Sequence, residues 1–281
     1  MKNTFVAFAC LALAGLQSNG AEISTFHAYV DSDLCARLML GPITDSRVQC
    51  SLQTVKEGSS PVLVRLKDNV VLTVNKQKMI KEHVGKFAEV NGEAKLKAGT
   101  VKLDAVKPVE MGAIPSGDSG RRLLDVRMYK AASPQIVEKV RHELAMMPYI
   151  TQFDFISFTM VGSDVILTGW TVRQTNRSEA FNRVKSIEGV QNITNNIEVL
   201  PLGMNDNQIR AAARAALQRT LSRYFWGSGS DIKIIVQNGN IILLGAVATK
   251  ADSDLATIQC NSVPMAFHVF NMLKVRTPAK S

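Results

Sequence analysis

The chain has 281 residues, of which 46% are hydrophobic and 20% charged, with a formal net charge of +9. This is the composition of a globular chain that must bury real cores, with room for two or three small domains. The charge is uneven, because residues 201–281 hold nine basic and four acidic side chains while residues 22–110 carry +2 and residues 111–200 carry +1. An excess in the last third favours anionic partners such as phospholipid headgroups or acidic polymers, and the competing reading is a solvated basic surface.

The chain starts "MKNTFVAFACLALAGLQSNGAE". Lys2 is a short positive region, and Phe5–Leu16 is an apolar run of 12 residues, too short to span a bilayer comfortably. Ser18 and Gly20 are spaced as a cleavage site requires. Residues 1–21 therefore read as a secretory leader cut near Gly20 or Ala21, the alternative being an uncleaved anchor. The expected location is periplasmic or secreted. Cys10 leaves with the leader. Cys35 and Cys50 share one segment of an exported chain, so a disulfide between them is expected. Cys260 is left over, on the apolar stripe of a predicted helix, and reads as a buried free thiol.

Residues 22–110 read as strands. "RVQCSLQTV" at 47–55 alternates, and "PVLVRL", "VVLTV", "FAEVNGEAKL" and "TVKLDAV" follow between Gly-, Asn- and Lys-rich turns. Asn91-Gly92 marks a tight hairpin or a bulge. With one helical turn near Lys76–His83, the pattern predicts a small OB-like β-barrel, or else an open sandwich. "PVEMGAIPSGDSGRR" then has the composition of a linker, placed at 111–121.

Residues 122–200 and 204–276 each read helix, hairpin, helix, strand, with "LPLGMND" between them. In the first, Ser133 is placed to cap and Pro134 suits the first helical position. Ile136, Val137, Val140 and Leu144 make one apolar stripe. Strands flank Gly162-Ser163-Asp164, and Asn176 with Glu179 resembles a capping box. Ala180, Phe181, Val184 and Ile187 form the next stripe, which Gly189 ends. At a constant offset of 76 residues the second copy repeats this order. Val165 matches Ile241, Gly169 matches Gly245, Asn176 matches Asp252, Val184 matches Cys260 and Asn195 matches Asn271. The hairpin turn alone differs, by about one residue in this reading. The repeat is a domain duplication. Its glycines, Gly169, Gly189, Gly239 and Gly245, are expected at turns, bulges or close approaches.

The matched residues carry a family resemblance. "VQNGNIILLG", a helix after a capping Asp, and "SVPMAFHVFNMLKV" together resemble the BON domain, the bacterial osmotically inducible and nodulation-protein domain. The first copy keeps Gly189-Val190 and Asn195. The second keeps Asn238-Gly239, Gly245 and Asn271, but has Met265-Ala266 where the family has Gly-Val. The resemblance implies an α+β chain with two α-β-β-α-β domains after the barrel, export, and noncatalytic roles at membranes or in envelope assemblies. Asp31-Ser32-Asp33-Leu34-Cys35 is similar to the opening of certain small exported barrel domains, with no function carried over.

Groups that do chemistry are sparse. "GDSG" at Gly117–Gly120 resembles the nucleophile loop of trypsin-like proteases, but Arg121 stands where that loop has another glycine. His27, His83, His142 and His268 do not pair with one another or with Cys at ligand spacing, so no metal site and no cofactor are expected. Arg210 and Arg214 lie nearly opposite Arg219 and Arg223 on their helix, so no basic stripe supports nucleic acid. No small-molecule substrate is evident. "RTLSRYFWGSGSD" puts Arg219, Arg223, Tyr224, Phe225 and Trp226 before a Gly-Ser loop, which suits a partner or interfacial surface, the bland alternative being a helix end that closes the core. The expected function is a noncatalytic exported envelope protein that binds an anionic membrane surface or an envelope protein. The alternatives are a homo-oligomeric assembly subunit, or an enzyme with a site in the first domain.

Overall fold

The computed structural model describes residues 22–39, 43–110, 114, 132–226 and 230–276. The expected leader, the Gly117–Gly120 stretch and all of the expected linker except Ile114 lie outside the described residues.

The first domain runs β1 (Glu22–Ser32), α1 (Asp33–Leu38), α2 (Asp45–Lys56), β2 (Pro61–Arg65), β3 (Val71–Val74), α3 (Gln77–Lys81), β4 (Phe87–Lys95) and β5 (Thr100–Val109). Its strands close a barrel in the order β1-β2-β3-β5-β4. Inward positions alternate, with Ala28 and Val30 from β1 meeting Leu63, Leu72, Ala88, Val90 and Leu103. At Asn91/Gly92 the register of β4 against β5 shifts, so this dipeptide is a bulge and not a hairpin turn. A Cβ on Gly92 would meet the Lys102 carbonyl oxygen at 2.5 Å.

The stretch "RVQCSLQTV" is not a strand. It lies within α2, whose N-cap Thr44 accepts a hydrogen bond from the Arg47 N–H. The buried positions are Arg47, Ser51, Thr54 and Val55, which share one helical face. Three of these four are polar, and they are buried because β1 supplies partners. Arg47 Nε donates to Asp31 Oδ2 at 2.8 Å, Ser51 Oγ bonds Asp31 Oδ1, and Thr54 Oγ1 donates to Ser32 Oγ at 2.7 Å. The barrel's fifth strand is instead β1, at Glu22–Ser32. Cys35 on α1 and Cys50 on α2 form the expected disulfide, with their Cα atoms 6.1 Å apart.

The first repeat contains α4 (Pro134–Ala145), β6 (Phe155–Val161), β7 (Asp164–Thr171), α5 (Gln174–Lys185) and β8 (Ile193–Val199). The second contains α6 (Met204–Leu221), a 3-10 turn (Ser222–Phe225), β9 (Ile232–Gln237), β10 (Asn240–Val247), α7 (Lys250–Asn261) and a last strand split into β11 (His268–Asn271) and β12 (Lys274–Val275). The offset of 76 holds through the hairpins as well. Val161 pairs with Asp164 and Gln237 with Asn240, so both turns have two residues and the expected difference in length is absent. Val165, Leu167, Val184 and Ile187 pack in the first core, and their matches Ile241, Leu243, Cys260 and Val263 pack in the second. Gly169 opposes Ile156 and Gly245 opposes Ile232, at φ +120° and +109°. A Cβ there would collide with the carbonyl oxygens of Phe155 and Asp231 respectively. Asn195 donates to the Arg177 carbonyl and accepts from the Ile197 N–H; Asn271 does the same with Ser253 and Leu273. One amide thus ties the last strand to the second helix in both copies.

Three expectations about helix ends need correction. Ser133 stands at the N-cap of α4, but its hydroxyl donates to Gln135 Oε1 and caps nothing. Asn176 is not a cap, since α5 starts two residues earlier, after Arg173. Its match Asp252 is the third residue of α7, and the capping box there joins Asp252 to Thr249.

Alternation places Trp170 of β7 and Ile242 and Leu244 of β10 on the sheet faces opposite the helices. These faces are not bare. Trp170, Leu200, Ile235, Ile242, Leu244 and Phe270 form one buried cluster with Leu34 and Leu38 of α1. Thr168 Oγ1 donates to the Leu38 carbonyl at 3.3 Å, and Arg37 pairs with Glu198.

Local geometry sets the expected outcome of three substitutions. A Cys35→Ser variant should lose about 3 kcal/mol in urea denaturation, the loop-closure value for a segment of this size. Met265 occupies the position matched to Gly189 and is held at φ +65°, against +94° for Gly189. Met265→Gly should therefore raise stability, by up to about 1 kcal/mol. Gly189→Ala should lower it, because a Cβ would stand 2.6 Å from Ile136 Cδ1. Both are read from denaturation midpoints at constant slope.

Candidate binding surface

The aromatic run at 224–226 divides between core and surface. Tyr224 is 4% exposed. Its hydroxyl donates to Asp252 Oδ2 at 2.8 Å and accepts the Ala248 N–H at 2.8 Å. Phe225 packs against the second repeat's core. Arg223 lies over the Tyr224 ring at 5.0 Å and pairs with Asp252 Oδ1 at 2.5 Å. These three side chains pin the end of α6 to the start of α7. Tyr224 and Phe225 therefore do not belong to an exposed surface as expected, because the fold uses them to close the core.

Trp226 is different. It is 79% exposed, and Arg219 is exposed in the last turn of α6. The Arg223 side chain is 61% exposed despite its ion pair. In the first repeat the positions matched to 223–226 are Met147, Pro148, Tyr149 and Ile150, with no arginine among them. Arg210, by contrast, is buried, donating to the Val236 carbonyl at 2.8 Å and to Asn207 Oδ1 at 2.6 Å, and burial lowers its pKa. Gly227–Gly229 lie outside the described residues.

Sequence reasoning missed a second exposed apolar pair at the other end of α6. Leu202 is 68% exposed and Met204 77%. Their spacing shows no period, because they sit in the connection between repeats and at the first helical position. An opening of about 390 Å3 beside them is lined by Phe153, Val172, Leu202 and the α6 residues Ala211, Arg214 and Ala215. Arg214 and Arg219 are both exposed but lie about 140° apart around α6, so Arg214 lines the opening beside Leu202 while Arg219 belongs to the end that carries Trp226.

The chemical inventory elsewhere is spare. Among the described residues no group of three or more His, Cys, Asp or Glu side chains could hold a metal ion. No described helix is long and apolar enough to cross a membrane. An opening of about 750 Å3 lies between the barrel and the first repeat and is walled by Asn69, Arg177, Asn195 and Asn196 among others. Cys260 is buried and free, and burial pushes its thiol up to about 12, which leaves it inert.

The family model described as "BON domain" matches residues 133–201 and 205–277. Among solved structures, the chain is similar to the C-terminal domain of CdsD, the structural protein of the type III secretion system of Chlamydia trachomatis. Identity is 10%, the match covers 52% of this chain and 100% of that chain, and the TM-score is 0.21. A second CdsD structure matches at 11% identity over 50% of this chain and 92% of that chain, with a TM-score of 0.21. A search of curated proteins finds no match.

The Asp252 cluster makes a pH-dependent contribution. The Thr249 hydroxyl, then Tyr224 and Arg223, hold its carboxyl at about 2. A carboxyl whose folded pKa lies below its unfolded value stabilises above the unfolded pKa, about 3.9, and loses that contribution as pH falls. Asp252→Asn should therefore lower the urea midpoint at pH 7, and the gap from the parent chain should narrow between about pH 4 and pH 2.

Proposed function

We propose, from the premise that this chain belongs to the BON-domain family, that it is an exported, noncatalytic envelope protein whose second repeat docks on an anionic membrane surface. The observation that carries this reading is the C-terminal end of α6. Trp226 is 79% exposed just past the 3-10 turn that follows the helix, and Arg219 is exposed in the helix's last turn, on a part of the chain with nine basic and four acidic side chains. A large indole turned to solvent gains by partitioning at the headgroup level, and arginine gains from the negative surface potential. Leu202 and Met204 offer apolar insertion at the opposite end of the same helix. The shared fold does not require Trp226 or Arg219, since the matched positions of the first repeat are Ile150 and Glu143. The Cys35–Cys50 disulfide supports the export part of the reading, because such bonds persist in oxidising compartments.

The test uses Arg219→Glu and Trp226→Ala and leaves Arg223 in place, because that residue holds Asp252. Co-sedimentation with phosphatidylglycerol vesicles is measured at two salt concentrations, with thermal melting as the folding control. Arg219→Glu should weaken binding at least fivefold at low salt, from about 1 kcal/mol per basic residue, and the difference should shrink at high salt. Trp226→Ala should weaken binding without shifting the melting temperature. Full binding by both variants rejects the membrane reading and leaves an envelope protein as the partner.

A further inference from the structure

The two repeats share a fold but not the state of their outer strand edges. The first strand of each repeat lies at the edge of its sheet. In the second repeat that edge is closed from within the chain. The Ile234 N–H donates to the Gln152 carbonyl at 2.7 Å, and the Val236 carbonyl accepts from Arg210. Ile232, Ile234, Ile235 and Val236 are fully buried as a result. In the first repeat the matched groups are the Phe158 N–H and the Met160 carbonyl, and neither has a partner among the described residues. The position matched to Arg210 is Pro134, whose side chain has nothing to donate.

Edge strands left open usually carry a charge, a proline or a bulge that discourages pairing. β6 reads Phe-Ile-Ser-Phe-Thr-Met-Val, with no charge, no proline and no glycine, and all seven residues are half-buried. Its pairing with β7 is unbroken from end to end. Beside it lies an opening of about 610 Å3, lined by Val137, Leu144, Ile156, Phe158 and Met160. Among the described residues this edge is apolar and has free backbone groups and a groove for side chains, which are the features that strand addition uses.

We propose that β6 pairs antiparallel with β6 of a second copy, joining two three-stranded sheets across a two-fold axis. Three observations favour this occupant. Material of the same chain already closes the equivalent edge in the second repeat. A two-fold axis normal to the sheet keeps Ile156, Phe158 and Met160 of both copies on one face, so each apolar row extends the other's groove. Lastly, α4 flanks the groove and exposes an ion pair of its own, Arg141 Nη1–Glu138 Oε1 at 3.1 Å, with side chains 63% and 66% exposed. Antiparallel approach sets the two pairs head to tail, so that each Arg141 can share the other copy's Glu138 with its own.

The experiment uses the full chain, with sedimentation velocity over a concentration series and hydrogen exchange at the Phe158 amide. The parent should dimerise, and protection at Phe158 should rise with concentration. Glu138→Arg sets like charges across the axis and should raise the dimer dissociation constant at least about tenfold. The double variant Glu138→Arg/Arg141→Glu should restore it. Glu138→Arg also removes the exposed pair within α4, so thermal melting serves as the folding control. A parent that stays monomeric with a fast Phe158 amide overturns the proposal. So does protection that is independent of concentration, which would mean that the chain covers its own edge. A dimer indifferent to Glu138→Arg overturns it as well, because the interface then lies elsewhere.

Discussion

An α-β-β-α-β unit places both helices on one face of a three-stranded sheet, and its other face must find cover. The architecture of this chain depends on how that cover is supplied. Apolar side chains on the helix-free faces, Trp170 in one repeat and Ile235, Ile242, Leu244 and Phe270 in the other, meet in one cluster. Leu34 and Leu38 complete it from the barrel domain. Fully burying a side chain of this size contributes about 1.5–3 kcal/mol. The junction is therefore a third core, comparable in kind to those inside each repeat. It makes the barrel and both repeats parts of one packing problem.

The helix that fills this junction is only six residues long and could not hold its shape alone. Its neighbours fix it. Ser32 caps its first turn, the disulfide ties it to α2, and α2 is clamped to β1 through Arg47 and Asp31. Both members of that ion pair are buried, with side chains 2% and 0% exposed. Burial pushes the Asp31 carboxyl up, while Arg47, Ser51 and the Ser32 N–H pull it down. Such a pair adds little net stability against an apolar substitute, but breaking it leaves a buried charge unpaired. Its role here is orientation, because a rotation of α2 that separated Arg47 from Asp31 would also move the Cys50 end of the disulfide.

These dependencies explain what the sequence discloses and what it hides. The duplication is legible because each repeat buries an apolar row on one face, and a constant offset aligns the two rows. The barrel is legible from β2 to β5 for the same reason. α2 is illegible because its buried face is Arg47, Ser51 and Thr54, so apolar periodicity misses it. β1 is blurred because both of its faces are covered. Ala28 and Val30 point into the barrel, while Tyr29 and Asp31 are fully buried under the inserted helices. At the candidate surface the limit is distance along the chain. Arg223 and Tyr224 look free until Asp252, more than twenty residues later, arrives beside them. Among the described residues Trp226 has no such partner, and only the fold separates it from its neighbours.

Where the copies agree and where they differ is itself informative. The shared features are interior and backbone-bound. The asparagines at 195 and 271 tie strand to helix by the same bonds, and the glycines at 169 and 245 admit the same carbonyl approach. A change at any of these positions disturbs the common fold, so both copies hold to one solution. The differences lie outside. α6 begins six residues earlier than the matched position of α4, and its Asp206 accepts the N–H groups of Asn238 and Gly239 in the hairpin turn. Its far end carries Trp226 where the first repeat has half-buried Ile150. The β9 edge is closed and the β6 edge is open. The helix ends differ as well, since the first repeat exposes Met146 and Tyr149 just past α4 where the second has Ser222 and Phe225 at the matched positions. In a tandem pair joined through the junction, the shared core stays unchanged while the outer surfaces of the two repeats vary separately.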